Sequence, residues 1–353
     1  MSASGLGRAL VVEPGPPNPE KDAGSRAIID LVDGLCALGY QAALAVESRP
    51  GEMDELIAKE PELVVLSRPG TFLRNANKFD RSKTQLLYFP HDFHSARIRS
   101  GQAFQSHYSD RAAVAIEILE RRCIANADNS LFPSEEEAQA ARELCPGAHS
   151  SAINYYWFTT SNAAYIDRAP GEVIFVGSRN HAPNVDGVNW FLREMWSRIS
   201  STCPEAELAL VGEWQDVVDA IGAKKVTVYE SLSDEALDRL LEGSRLGISP
   251  LRFGAGMKRK TLHYLSGGLP VVSTSYGVQG LGDVLREHPA AVVADNANDF
   301  CDAVIGLISQ PVRASDLSDD AKKLVLTHFN FERYLEKLFV ALSQPKPKTY
   351  SID

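Results

Sequence analysis

The stretch from Leu246 to Leu281, LGISPLRFGAGMKRKTLHYLSGGLPVVSTSYGVQGL, reads as a strand, a glycine-rich loop, a helix and a second strand. Leu246–Pro250 and Leu269–Thr274 are short apolar runs, and the segment between them is long enough for one crossover helix. The two strands therefore belong to one parallel sheet. The connecting loop, Arg252 to Lys260, holds Gly254 and Gly256 together with four cations, Arg252, Lys258, Arg259 and Lys260. Glycines let the backbone approach a ligand, a helix N-terminus offers N–H groups at a positive dipole end, and Arg and Lys add full charges. That combination suits a phosphate or diphosphate. Neither the P-loop spacing nor G-x-G-x-x-G is present, and the same letters also fit an ordinary βα loop with a solvated basic first turn.

Residues 250–281 resemble the donor-binding segment of the retaining glycosyltransferases of family 4, which have the GT-B fold. The resemblance lies in the order Pro-Leu-Arg-Phe-Gly-Ala-Gly-x-Lys, then a Leu-x-x-Leu helix, then Gly-Leu-Pro-Val-Val, then Gly-x-x-Gly-Leu. It implies an α/β protein of two Rossmann-like doubly wound domains facing across a cleft. It further implies an N-terminal acceptor-side domain, a C-terminal nucleotide-sugar domain, and a final helix that crosses back to the first.

The rest of the chain agrees with tandem α/β domains. At 353 residues it is too long for one typical core and suits two. Short apolar runs at Arg8–Glu13, Ala42–Val46, Leu63–Leu66 and Leu86–Phe89 alternate with helical or irregular segments, and Asp110–Asn126 has helical spacing before the strand-like Asn129–Phe132. A polar connector over 163–171 places the domain boundary near residue 168. A second β–α series then begins at Glu172–Gly177 and continues with a helix over Val185–Ile199, strands at Glu207–Gly212 and Val226–Tyr229, and a helix over Asp234–Glu242. Past the central unit come a strand at Ala290–Ala294 and helices over Ala297–Ser309, Leu317–His328 and Phe331–Leu342, then a loose tail. The expected division is 1–168, 169–328, and 329–353 for the returning helix and tail.

Composition narrows the partners. A net charge of −10 argues against general nucleic-acid binding, so any phosphate affinity is local. Five scattered cysteines without C-x-x-C, no signal-like N-terminus and no apolar run of spanning length predict a cytoplasmic protein, with peripheral membrane contact left open. The basic stretch Arg74–Lys83 is the segment that would meet an anionic lipid or a phosphorylated acceptor, or it is a solvated loop. No D-x-D pair or close His/Cys/carboxylate set is visible, so no metal and no cofactor beyond the donor substrate is expected.

Several further segments match the family's site. Gly177-Ser178-Arg179-Asn180 follows the first strand of the second domain, where the family has a loop near the diphosphate; a polar turn with Asn184 capping the next helix is the alternative. Val228–Leu232 resembles the segment that meets the nucleobase, with Tyr229 and Leu232 near it. Gly254, Ala255, Gly256 and Met257 form the donor loop, and Arg252 and Lys258 would stabilise the leaving diphosphate. In the first domain, Asp92-Phe93-His94 looks like the family's Asp-Leu-His element, with His94 or Asp92 orienting the acceptor hydroxyl, although a helix cap and a satisfied histidine also explain the letters. Gly24 and Ser25 open the first helix and would offer N–H donors to the diphosphate, unless Ser25 is a plain N-cap.

One departure matters. Many members carry two glutamates as E-x7-E around the glycine loop, for donor-sugar and ribose hydroxyls; here Ala255 and His263 stand at those positions. The resemblance thus predicts transfer of a sugar from a nucleoside-diphosphate donor to a hydroxyl acceptor. A binding or scaffold protein that kept the nucleotide site without turnover is the second expectation, and a GT-B sugar-nucleotide epimerase the third.

Overall fold

The structure is a computed structural model that describes residues 6–19, 22–105, 107–161, 165, 168–169 and 171–345. It divides into two compact units. One draws on the chain up to Arg99, His107–Trp157 and the segment from Phe331 onward; the other holds Phe158–Asn330 and a short segment after Arg99. The polar connector expected over 163–171 and the tail expected over 344–353 lie largely outside the described residues.

The first unit is built on β1 (Arg8–Glu13), β2 (Gln41–Val46), β3 (Leu63–Ser67), β4 (Gln85–Phe89), β5 (Asn129–Phe132) and β6 (Ser150–Ala152), in spatial order β2-β1-β3-β4-β5-β6. Every neighbouring pair is parallel. Its helices are α1 (Ala23–Ala37), α2 (Pro50–Ile57), α3 (Pro69–Asn75), α4 (His94–Gly101), α5 (Asp110–Asn126) and α6 (Glu135–Leu144). Strands β3 and β4 are almost unbroken apolar runs because helices cover both faces of a parallel sheet. The core includes Leu10, Val12, Leu66, Phe72, Tyr88 and Phe132, each contributing on the order of 1.5–3 kcal/mol by leaving water.

The second unit is built on β7 (Glu172–Val176), β8 (Glu207–Val211), β9 (Val226–Tyr229), β10 (Leu246–Ser249), β11 (Val271–Ser273) and β12 (Ala291–Val293), in order β12-β11-β10-β7-β8-β9 and again parallel throughout. Its helices are α7 (Ala182–Glu194), α8 (Trp196–Thr202), α9 (Gln215–Ile221), α10 (Asp234–Gly243), α11 (Arg259–Ser266), α12 (Gly282–Glu287), α13 (Ala297–Ser309) and α14 (Pro311–His328). The single helix expected over Val185–Ile199 is two, broken at Met195, so that Met195, Trp196 and Ile199 all enter the core and the Trp196 indole donates to Lys224 O at 2.7 Å. The helix expected from Leu317 starts earlier, with Pro311 in its first turn, where a missing N–H costs nothing.

The last helix, α15 (Phe331–Leu342), belongs to the first unit. Its Tyr334 hydroxyl donates to Asp30 O at 3.2 Å, and Asn129 Nδ2 donates to Ala341 O at 2.9 Å. Gly34 makes room for it, since a Cβ there would lie 2.6 Å from the Tyr334 ring. At the other junction, residues just before the expected boundary near 168 are built into the second unit. The Tyr165 hydroxyl donates to Arg245 O at 2.9 Å, and the buried Arg168 guanidinium donates to the carbonyls of Leu241, Ser244 and Gly267.

In each sheet the winding direction reverses once. The reversal falls between β1 and β3 in the first unit and between β7 and β10 in the second. Ligands of open α/β sheets bind outside the carboxyl ends of the strands that flank such a point.

Candidate functional site

In the first unit three strand ends converge at the reversal. Glu13 is the last residue of β1, Arg68 follows β3, and His91 follows β4. Arg68 and His91 both have left-handed backbones, with φ of 57° and 72°. For residues with side chains this costs roughly 1–3 kcal/mol each, and it aims both side chains at one carboxylate. Arg68 Nε donates to Glu13 Oε1 at 3.0 Å, while His91 Nε2 stops 3.8 Å from Glu13 Oε2, and neither of those last two atoms has a hydrogen-bond partner. Burial pushes the His91 imidazole towards its neutral form. Burial alone would raise the Glu13 carboxyl, but His91 and Arg68 outweigh it and hold it below the usual carboxylate range.

Gly24 belongs to the same cluster. A Cβ there would lie 3.2 Å from Arg68 Nη2 and 3.3 Å from His91 Nδ1. Asp22, not Ser25, caps α1: its carboxylate accepts from Ser25 N at 2.7 Å and from Ser25 Oγ at 2.6 Å. The Ser25 N–H expected to meet a diphosphate is thus already engaged, because the β-region backbone of Asp22 brings its oxygen over that donor.

Asp92 and His94 lie side by side after β4. His94 Nε2 lies 3.3 Å from Asp92 Oδ1, and Arg97 Nη1 donates to Asp92 Oδ2 at 3.0 Å. Burial lowers the His94 imidazole to about 4, so at neutral pH it is neutral with one ring nitrogen unprotonated. Sequence reasoning missed Glu120, from α5. Its carboxylate accepts from His94 N at 2.6 Å and from Ser95 Oγ, and burial raises it to about 7 against those hydrogen bonds. No local motif marks it, because it lies a helix away from the residues it holds.

In the second unit the reversal is opened structurally. Strands β7 and β10 pair only through Leu246↔Val173 and Gly247↔Ile174, so Val176 has no ladder partner on that side. The Tyr264 hydroxyl of α11 accepts from Val176 N at 2.7 Å instead, and Gly247 admits its ring, since a Cβ there would lie 2.5 Å from it. Gly187 of α7 lets the loop after β10 approach, because a Cβ there would lie 2.6 Å from Pro250 O. Two loops consequently flank the point, 177–181 after β7 and 250–258 after β10.

Gly177 sits tightly in the first loop, where a Cβ would lie 2.7 Å from Asn184 Nδ2 and 2.8 Å from Lys260 Nζ. Asn184 does not cap α7. It lies inside the helix, its Nδ2 donates to Ser178 O at 2.8 Å and its Oδ1 accepts from Lys260 Nζ at 2.6 Å, which ties the two loops together. Ser178 Oγ accepts from Asn180 N at 3.2 Å, and Arg179 pairs with Asp216.

In the second loop Gly254 and Gly256 have φ of 141° and 77°, conformations that a side chain would strain. The Lys258 ammonium turns back into the loop, donating to Ala255 O at 2.9 Å and Gly256 O at 2.5 Å. Arg252 forks onto Asp186, with Nε to Oδ2 at 2.8 Å and Nη2 to Oδ1 at 2.6 Å, and lies over the Trp190 ring. Burial, with the Lys258 charge added, pushes the Lys260 ammonium well below an ordinary lysine. Of the four cations read from the sequence, Arg252 is held by a carboxylate, and Lys258 and Lys260 hold the two loops.

His263 Nε2 lies 2.8 Å from Asp238 Oδ1, and its ring stacks on Phe158. Met257 is buried, Ala255 partly exposed, and Tyr229 and Leu232 are partly buried at and beyond the end of the edge strand β9. The basic stretch Arg74–Lys83 is largely paired within the fold: Arg74 with Glu47, Arg81 with Asp128 and Lys83 with Glu60. Hydrogen bonds from Arg74, Asn75 and Thr71 outweigh burial and hold the Glu47 carboxyl at about 2. Among the described residues no helix is long and apolar enough to cross a membrane.

Comparison with known proteins agrees with this architecture. Residues 170–310 match the family model "Glycosyl transferases group 1". An uncharacterized 44.6 kDa protein in the cps region of Klebsiella pneumoniae is 24% identical over 175 residues, which cover 47% of this chain and 45% of that protein, so the chain spans about half the length of this relative. Among solved structures, sucrose-phosphate synthase from Thermosynechococcus elongatus superposes with a TM-score of 0.74 at 14% identity, covering 94% of this chain and 98% of that one. HepE of Anabaena, in complex with UDP and glucose, gives 0.68 at 13%, covering 96% and 99%. WaaG, a glycosyltransferase involved in lipopolysaccharide biosynthesis, gives 0.65 at 11%, covering 95% and 100%. The chain thus has the two-domain α/β architecture of GT-B glycosyltransferases, and its residues 170–310 are similar to the glycosyl transferases group 1 model.

Proposed function

We propose that the chain is a retaining glycosyltransferase of family 4 that moves a hexose from a nucleoside diphosphate to a hydroxyl acceptor. The observation that carries this reading is the pair of loops flanking the β7/β10 reversal, with Gly177, Gly254 and Gly256 clearing the backbone, Lys258 bringing positive charge into the second loop and Lys260 tying Asn184 to the start of α11. As the glycosidic C–O bond breaks, negative charge grows on the diphosphate, and preorganised cations and N–H groups lower that barrier. HepE was solved with UDP and glucose, which favours a uridine nucleotide as the first donor to try.

On the acceptor side the proposal assigns the proton to His94. It is neutral at working pH and held by Asp92 and Glu120, so it can receive the hydroxyl proton. Retention comes from the family resemblance, and no carboxylate pair is assigned as covalent nucleophile. Incubation of the purified chain with UDP-, GDP- and ADP-sugars and a panel of hydroxyl acceptors tests the reading. Transfer or donor hydrolysis from at least one donor is expected, and none from any contradicts it.

One observation favours a second reading, nucleotide binding without turnover. Ala255 and His263 replace the two glutamates of the family pattern, and His263 is already engaged by Asp238. Calorimetric binding of a nucleoside diphosphate with no turnover across the panel would select it.

A further inference from the structure

The sequence shows no close set of metal ligands, but the second unit assembles one from residues 40 positions apart. Glu287 ends α12, His288 follows it directly, and His328 is the last residue of α14. One ligand atom from each of the three lies within 4.8 Å of the others. His328 Nε2 is 3.1 Å from Glu287 Oε2, and His288 Nε2 is 3.7 Å from Glu287 Oε1. A tetrahedral ion with bonds of 2.0–2.1 Å holds its ligand atoms about 3.3 Å apart, close to the His328–Glu287 separation.

A second observation points to a ligand. His288 Nε2 is buried and has no hydrogen-bond partner. A buried imidazole nitrogen left unmatched is destabilising, and its neighbours here are a second imidazole and a carboxylate, the groups that bind a cation. The backbone fixes the His288 position, since its N–H donates to Val284 O at 2.9 Å and its carbonyl accepts from Ala290 N at 2.8 Å. The two histidine side chains are mostly covered while the Glu287 side chain is 58% exposed, which leaves one face of the site open to water.

We propose that Glu287, His288 and His328 form a binding site for a divalent transition-metal ion of the zinc class, with water as the fourth ligand. Two imidazoles and one carboxylate suit zinc, cobalt or nickel and are poorly matched to magnesium or calcium, which take all-oxygen sets. The ion clamps the end of α12, the helix that follows the Gly-x-x-Gly-Leu turn, to the end of α14. The site is separate from the loops at the β7/β10 reversal and does not depend on the glycosyltransferase reading.

The test is titration of the untagged, chelator-treated full chain with Co²⁺, followed by its visible ligand-field absorption, and with Zn²⁺ by calorimetry. One equivalent is expected to bind, with at least about ten-fold weaker binding in His288→Ala and in His328→Ala. Zn²⁺ is expected to raise the thermal midpoint of the parent and not of the double histidine variant. Absence of saturable binding at one equivalent, or binding unchanged in the double variant, overturns the site. Glu287→Gln alters only an exposed side chain and keeps the test decisive should a histidine variant misfold: weaker Co²⁺ binding supports the site and unchanged binding overturns it.

Discussion

The two units solve the same topological problem with opposite chemistry. Each sheet reverses its winding once, between β1 and β3 or between β7 and β10, and each gathers functional groups there. In the first unit the groups are titratable and the backbone is strained: Arg68 and His91 take left-handed conformations around the Glu13 carboxylate, with His94, Asp92 and Glu120 nearby in the chain or the fold. In the second the strain falls on glycines, which accept it, and the groups are cations folded into their own loops. Strained non-glycine residues suit a place where side chains must be aimed; glycines suit a place where backbone must come close to a ligand. On the proposed reading, the difference assigns proton handling to the first unit and the holding of an anion to the second.

The largest test of this contrast is His94→Ala. If His94 takes the acceptor proton, transfer should fall about 10²–10⁴-fold in a steady-state assay while nucleotide affinity stays within two-fold. A variant that transfers at the parental rate breaks the proton-handling half.

The second test uses pH. His94 is lowered from 6.5 to about 4, so the folded chain binds fewer protons than the unfolded one across that window and loses stability as pH falls through it. Glu120 is raised from 4.5 to about 7, so its contribution has the opposite sign and stability is lost as pH rises through that range. Each effect amounts to roughly 3 kcal/mol at most, and the two oppose each other between 4.5 and 6.5. Denaturant midpoints measured against pH should therefore slope in opposite directions relative to the parent: downward with rising pH in His94→Gln, upward in Glu120→Gln. Parallel slopes would show that burial does not shift these groups as described.

The smallest effect concerns the opened sheet. Tyr264→Phe removes the acceptor of the Val176 N–H and should cost about 1–2 kcal/mol of stability, read from denaturant midpoints. No loss would mean that water replaces the hydroxyl and that the gap between β7 and β10 is already wet.

Legibility from sequence followed distance along the chain. The strand–loop–helix–strand unit around Gly254 and Gly256 could be read because its parts, β10, α11 and β11, are contiguous in the chain. Pairings across the fold were hidden. Nothing near Arg252 announces Asp186, nothing near His94 announces Glu120, and the cap of α1 went to Ser25 because Asp22 and Ser25 both have the letters for it. The points of reversal were also hidden, since spatial strand order is set by which faces the helices cover and not by any local pattern.

The division of labour is tested most directly by calorimetric affinity for a nucleoside diphosphate, UDP first, in the parent, Lys258→Ala and His94→Ala. Lys258→Ala frees the carbonyls of Ala255 and Gly256 and removes a charge from the loop, so its affinity should fall by about 1.5–3 kcal/mol, ten-fold or more. His94→Ala should bind within two-fold of the parent. Equal affinity in Lys258→Ala and the parent, or a loss confined to His94→Ala, would contradict the assignment of the anion to the second unit.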